Sequence, residues 1–426
     1  MAFIVFAVLF IVLFLIGMPV GFAMISASVV WALMSGTGLS FFTMEMFAEL
    51  NSFTLIAIPM FMLSAEVMSS STVADRMFDV CNGLVGWIPG GLGHTNVLTS
   101  VIFAGMSGSA AADAGGIGYL CQQSMEKRGF DKAFSAACTA ASSCIGPIIP
   151  PSIPVVVYAM CVSSASVGKM LMGGVIPGLL MALFMSGWIA YISIKRGYPK
   201  EERPTGRQML GFVKRGFLPC MTPVVLLTTI STGMVTVSEG AVITVLYTII
   251  LGVFVYHETG IKGLIRSARN VFRNCGVTLI FFAGGACFSH VMAKENIPAL
   301  FANAMFSITE NPILLLMIVN IFFFLLGCLS DPTVNIMLFA SMVMPVVTAC
   351  GMDPNAWGVI LILNCMIGLI TPPVGTMVYI ICGLSGASLS KTFKECVPFV
   401  GFYYLLIVIL TIFPEIITFI PNLILG

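Results

Sequence analysis

Charge is what this chain has least of. Only 9% of its 426 residues are Asp, Glu, Lys or Arg, against about 25% in an ordinary globular domain. A water-facing surface of normal polarity cannot be built from that supply, so a soluble fold is excluded. Net charge is +1, so nothing suggests nucleic acid as a partner. Histidine is nearly absent, with three residues, and the thirteen cysteines form no C-x-x-C pair and fall mostly inside apolar runs. Zinc, iron–sulfur and haem sites are therefore not expected, and the thiols read as small buried hydrophobes. The chain also lacks a P-loop, a nucleophile elbow and a G-x-G-x-x-G turn after a strand. No ATP hydrolysis, enzymatic chemistry or organic cofactor is expected.

What is present is apolar sequence, 58% of the residues, with a mean hydropathy of +1.06. A helix needs about 20 such residues to cross the hydrocarbon of a bilayer. Candidate spans fall at 2–16, 18–35, 51–71, 170–194, 217–232, 236–256, 274–293 and 397–420, with four longer, interrupted regions at 92–126, 132–166, 312–350 and 355–386. The runs are too long for strands and lack their period of two. The expectation is an all-α polytopic membrane protein. The first basic residue is Arg76, so the apolar N-terminus has no positive n-region and is expected to be retained.

The interruptions occur twice. Residues 145–158 read IGPIIPPSIPVVVY and residues 367–379 read IGLITPPVGTMVY, with Gly146 on Gly368 and Pro150-Pro151 on Pro372-Pro373 at one offset of 222. Upstream, FAGMSGSAAADAGG (103–116) and LLGCLSDPTVNIM (325–337) align at the same offset, Gly105 on Gly327. Duplicated, broken apolar segments point to a secondary transporter with its site between two internal repeats. The domain reading is a first repeat over 1–194 with hairpin 92–126, a linker over 195–216, and a second repeat over 217–426 with hairpin 312–350.

Basic residues set the orientation. The linker holds Lys195, Arg196, Lys200, Arg203, Arg207, Lys214 and Arg215, and is expected to be cytoplasmic; Lys262, Arg266, Arg269 and Arg273 fall on the same side, spaced as on one face of an interfacial helix. The first hairpin closes on the basic 126–132 loop, whereas the second is flanked by Glu310-Asn311 and Gly351-Met352-Asp353 with no basic residue. The two hairpins therefore enter from opposite sides, and the repeats are inverted. Lys169 is the one basic loop residue against this scheme. The basic loops would meet anionic lipid or fix topology.

Irregular backbone at membrane depth must line a cavity or be buried in protein. In Ser107-Gly108-Ser109-Ala110-Ala111-Ala112-Asp113, Ser109 can cap the helix that follows, whose free amides favour an anion. In Ser330-Asp331-Pro332-Thr333, Ser330 is expected to cap, Asp331 to complement the dipole and Pro332 to fit the first turn. Asp113 is costly in hydrocarbon and is a functional candidate for that reason. The Gly-to-Pro-Pro breaks free carbonyls that suit a hard cation, and with so few acids sodium fits better than calcium. One ion is expected near Gly105, Gly146, Ile149 and Ser152, and a second near Gly327, Gly368, Thr371 and Val374. His290 and Lys294 end a span and could offer positive charge to an anion.

GMSGSAAADAGGIG, the paired GxxxPP breaks and GMPVGFAM at 17–24 resemble the large membrane subunit of TRAP (tripartite ATP-independent periplasmic) transporters, DctM type, over essentially the whole chain. The resemblance implies a sodium-driven importer of an organic anion in the bacterial inner membrane, working by an elevator movement. It implies two partners, a small four-helix membrane subunit (DctQ type) and a periplasmic substrate-binding protein. The family's substrate positions carry over to Ser107, Ser109 and Asp113. Some sialate-transporting members have an arginine where this chain reads SHVMAKENIP (289–298), which counts against sialate and leaves His290 or Lys294 for the cationic role. Small dicarboxylates and sulfonates remain open. The alternatives are a stand-alone sodium/carboxylate symporter of another elevator family and a membrane oxidoreductase subunit.

Overall fold

The computed structural model describes residues 1–69, 73–232 and 235–425; the last residues of the 51–71 candidate span lie outside them. Regular structure among the described residues is entirely helical. Six helices are long and apolar enough to cross a membrane, or up to eight if each of two bent pairs counts as one span.

Helix starts recur at the offset read from the sequence. Lys132–Ser143 is followed 222 residues later by Pro354–Gly368, and Val167–Gly173 with Val175–Arg196 by Leu389–Ile412. The hairpins match likewise: Gly91–Ser107 then Ala110–Asp113 to Lys127 in one, Pro312–Leu329 then Pro332–Ala349 in the other. The caps repeat with them. Asp131 accepts from the amides of Ala133 and Phe134, both at 3.0 Å, and its counterpart Asp353 accepts from Asn355 and Ala356 at 2.8 and 2.9 Å. Just before each cap, Gly129 and Gly351 take φ of +89° and +73°, the left-handed conformation that closes a helix and that glycine adopts without strain. Phe130 and Met352 then return their amides to Met125 and Val347.

The halves interlock. Val20–Ser35 packs on Ile261–Lys294, and its counterpart Val237–Ile249 packs on Ala57–Ser69. Gly21 and Gly284 allow the first of these crossings, since a Cβ on Gly284 would lie 2.6 Å from the Gly21 carbonyl oxygen. At the centre, the Cys144 thiol donates to the carbonyl of its own repeat mate, Met366, at 3.3 Å. Equivalent residues touch each other only where a two-fold relation passes between them, so this contact marks the pseudo-axis. Both surrounding helices, Lys132–Ser143 and Pro354–Gly368, are buried on almost every face. Buried amides tie each hairpin to its broken helix: Asn96 bonds Thr139 (2.7 Å) and Ser142 (3.3 Å), while Asn320 and Asn364 bond at 2.9 Å.

Several boundaries differ from the expected spans. Residues 261–294 form one continuous 34-residue helix rather than an interfacial helix followed by a separate span, because no proline or helix-breaking turn interrupts them. The same region in the first half is broken, Leu39–Leu50 bending by 53° into Phe53–Met68. The 397–420 span ends at Ile412 and a new helix starts at Glu415, since Pro414 cannot continue the ladder. The linker is partly ordered: Thr205 and Gln208 form a capping box that starts Gly206–Cys220. In the first hairpin, Gly115, Gly116 and Gly118 lie in a π-helical turn at Ala114–Gly118, where the second hairpin stays α-helical.

A Cβ added at Gly368 would fall 2.0 Å from the Gly327 carbonyl carbon. Gly368→Ala is expected to destabilise the protein by about 1–3 kcal/mol through overpacking, read as a lowered melting temperature in detergent. Gly401→Ala, at a helical site with no heavy atom within 4 Å, should leave the melting temperature unchanged or slightly raised.

Candidate functional site

A cavity of about 390 Å³ lies between the two hairpin tips. Its lining comes in pairs separated by the repeat offset: Ser109 and Asp331, Ala110 and Pro332, Ala111 and Thr333, Pro147 and Leu369. It therefore straddles the pseudo-two-fold relation, with one hairpin tip and one helix break from each half. Met62, Thr278 and Phe281 close the remaining wall.

Each tip is a short turn ending in a cap. At the first, Gly108 takes φ +59° and Ser109 caps the next helix, accepting from the Ala112 amide at 3.4 Å. A side chain at Gly108 would strike the Pro151 carbonyl at 2.6 Å, so the tip rests on the break of the Lys132–Ser143 segment. At the second tip the cap is Asp331, whose Oδ1 accepts from the Thr333 amide at 2.9 Å, with Pro332 as the first helical residue. This corrects the expected cap at Ser330, which instead ends the preceding helix and donates its hydroxyl to Asn335. Proline fits the first helical position, so the cap is the residue directly before it.

The structure separates the substrate candidates. Ser109 lines the cavity. Ser107 and Asp113 lie behind it, fully buried, and neither the Ser107 hydroxyl nor either Asp113 oxygen has a hydrogen-bond partner. Asp113 sits beside Ser100 and Ser143 and takes part in none of the ion pairs found among the described residues. Ser330 is not in the lining. His290 packs against Phe41, tilted by 47° at 4.3 Å between ring centroids, and meets Phe42 edge-on at 5.9 Å; it also lies outside the lining.

The cation candidates behave differently in the two halves. In the second, Gly368 packs on Gly327, Val374 donates its amide to the Cys328 carbonyl at 3.3 Å, and Thr371 donates its hydroxyl to the Ile367 carbonyl at 2.8 Å. Hairpin and break meet there, with the Thr371 hydroxyl beside the Cys328 thiol. In the first half, Gly146 lies against the Ser109 backbone, and Ser152 caps Ile153–Cys161 while its hydroxyl donates to the Pro147 carbonyl. The side chain of Ile149 packs at Gly178, and the open face of Gly105 meets Pro223.

Sequence reasoning missed Asp331 and Thr333 as lining residues. The repeat offset could have found them, because they are the mates of Ser109 and Ala111. The wall from Met62, Thr278 and Phe281 left no local signal.

The sequence profile described as "Tripartite ATP-independent periplasmic transporter, DctM component" matches residues 7–416. The chain is 34% identical over 411 residues to the sialic acid TRAP transporter large permease protein SiaM of Vibrio cholerae, covering 96% of each. It is 31% identical over 382 residues to the C4-dicarboxylate TRAP transporter large permease protein DctM of Pseudomonas aeruginosa, covering 89% of this chain and 88% of that one. It is 30% identical over 371 residues to the isethionate TRAP transporter permease protein DctMQ of Oleidesulfovibrio alaskensis, covering 87% of this chain and 58% of that one. Among solved structures, the YdaH transporter of Alcanivorax borkumensis superposes with a TM-score of 0.64 at 12% identity, covering 88% of each chain, which shows a shared fold. The chain belongs to the DctM family of TRAP transporter large permeases, and is a multi-pass membrane transporter component, not an enzyme.

Ser109→Ala removes both a cap, worth about 1 kcal/mol, and a cavity hydroxyl whose bond to a charged group is worth about 1.5–3 kcal/mol. It should raise the apparent substrate constant about tenfold or more in vesicle uptake. Ser330→Ala, at a residue whose hydroxyl bonds Asn335 and its own helix outside the cavity lining, should leave that constant unchanged.

Proposed function

We propose that this TRAP large permease imports a small organic anion, a carboxylate or sulfonate, across the bacterial inner membrane, driven by sodium. A periplasmic binding protein delivers the substrate, and a small DctQ-type subunit completes the membrane complex. The observation that carries this reading is the cavity of about 390 Å³ between the two tips. Ser109 and the amides of the following helix offer donors to an anion on one side. On the other stands Asp331, and the lining contains no Lys, Arg or His. An anion held beside a carboxylate needs positive charge from elsewhere, and a co-transported cation supplies it.

Two features support cation sites at the breaks. A fully buried acid outside any ion pair is costly, and among the described residues Asp113 is one, with only the hydroxyls of Ser100 and Ser143 noted beside it. The close contact of Gly327 with Gly368 brings backbone carbonyls and the Thr371 oxygen to one place, the donor set a hard cation prefers. At least two sodium ions per cycle fit the duplicated arrangement. In an elevator movement, the hairpins and broken helices would cross the membrane against the remaining helices, with 1–194 and 217–426 as the two repeats. The relatives carry sialic acid, C4-dicarboxylates and isethionate by name, which supports the organic anion class and leaves the individual substrate to the binding protein.

Vesicles holding this subunit, its membrane partner and the binding protein should accumulate substrate only under an inward sodium gradient; uptake that persists in choline would overturn the reading. Thr371→Val should weaken sodium activation strongly, whereas Ile149→Val, which removes no oxygen, should change it little. Identical sodium activation curves for wild type and Thr371→Val would remove that side chain from the ligand set.

A further inference from the structure

We propose that the exposed face of residues 261–273 is a binding site for anionic phospholipid headgroups of the cytoplasmic leaflet. Three stripes run along this part of the Ile261–Lys294 helix. Ser267, Val271 and Cys275 are buried against the protein. Lys262, Arg266, Arg269 and Arg273, spaced at four, three and four residues, form a second stripe, and all four are exposed. Directly beside each lies one member of an apolar stripe, Ile261, Ile265, Ala268 and Phe272, with Ile261 77% and Phe272 83% exposed.

The cations are unspent. The ion pairs among the described residues join Arg76 to Glu258, Arg128 to Glu201 and Arg196 to Glu395, and none involves this stripe. A polar tie from the segment to its neighbour uses a neutral side chain, Asn270, which donates to Glu66 at 2.7 Å. Nor does the fold require basic residues here. The helix at the matching offset, Leu39–Leu50, carries Glu45 and Glu49 and no basic residue.

Geometry selects a lipid as the occupant. The helix has 34 residues, about 51 Å at 1.5 Å per residue, while the hydrocarbon is about 30 Å thick. If 274–294 crosses it, 261–273 continues the same helix out of the hydrocarbon and through the headgroup layer. There the apolar stripe can meet acyl chains near the boundary while the long Lys and Arg side chains beside it reach the phosphates. Basic loops place this side in the cytoplasm, where the leaflet is anionic.

The test uses the full chain in mild detergent, offered equal amounts of phosphatidylglycerol and phosphatidylcholine, with bound lipids counted by native mass spectrometry. Wild type should retain phosphatidylglycerol preferentially. Each basic residue near an anionic surface is worth about fivefold, so Arg266→Gln, Arg269→Gln and Arg273→Gln together should cut that preference by up to about a hundredfold. The same three positions changed to Lys should keep it. Monodisperse elution and unchanged melting in phosphatidylcholine exclude misfolding of the Gln variant. Equal retention of the two lipids by wild type, or undiminished preference in the Gln variant, would overturn the proposal.

Discussion

The structure depends on one constraint: backbone that leaves a helix inside a bilayer must be shielded from lipid and find partners within the protein. This chain breaks its helices at four places in the membrane-buried centre and covers each break with another. The first tip rests on the Pro150-Pro151 break through Gly108, and the second on the Pro372-Pro373 break through Gly327 and Gly368. Only glycine permits these approaches, which is why the breaks come in matched pairs. A lone break would expose amides to hydrocarbon; a facing pair encloses a polar cavity.

Duplication also makes that cavity unequal in a useful way. The repeat puts Ser109 opposite Asp331 and Ala111 opposite Thr333, so the two walls share a backbone plan and differ in charge. One tip offers a hydroxyl and free amides. The other offers a carboxylate already engaged in capping its own helix. The interlocking of Val20–Ser35 with Ile261–Lys294, mirrored by Val237–Ile249 with Ala57–Ser69, joins the halves so that neither can be packed without the other.

Local chemistry made much of this legible in the sequence. Gly, Pro, Ser and Asp at a fixed offset revealed the hairpins, the breaks and the repeat, because caps and proline breaks act within a few residues. Continuity was harder to read: 261–294 joined a basic amphipathic stretch to an apolar one, and composition changes there while the backbone does not. Ser330 and Asp331 are both capping residue types, and only the adjacent proline decides between them. His290 ended an apolar run like a residue facing a cavity, yet its orientation follows from packing on Phe41 and Phe42, which no local pattern encodes. The wall of Met62, Thr278 and Phe281 is likewise a product of tertiary packing.

The central claim is that one cavity between two repeat-related tips serves both sides of the membrane. Sided labelling of Thr333→Cys tests it most directly, using an impermeant maleimide on right-side-out and inside-out vesicles against the background of the native cysteines, most of which are buried. The account predicts labelling from both sides, with substrate and sodium together protecting the site. Labelling from one side only, under every combination of sodium and substrate, would contradict it.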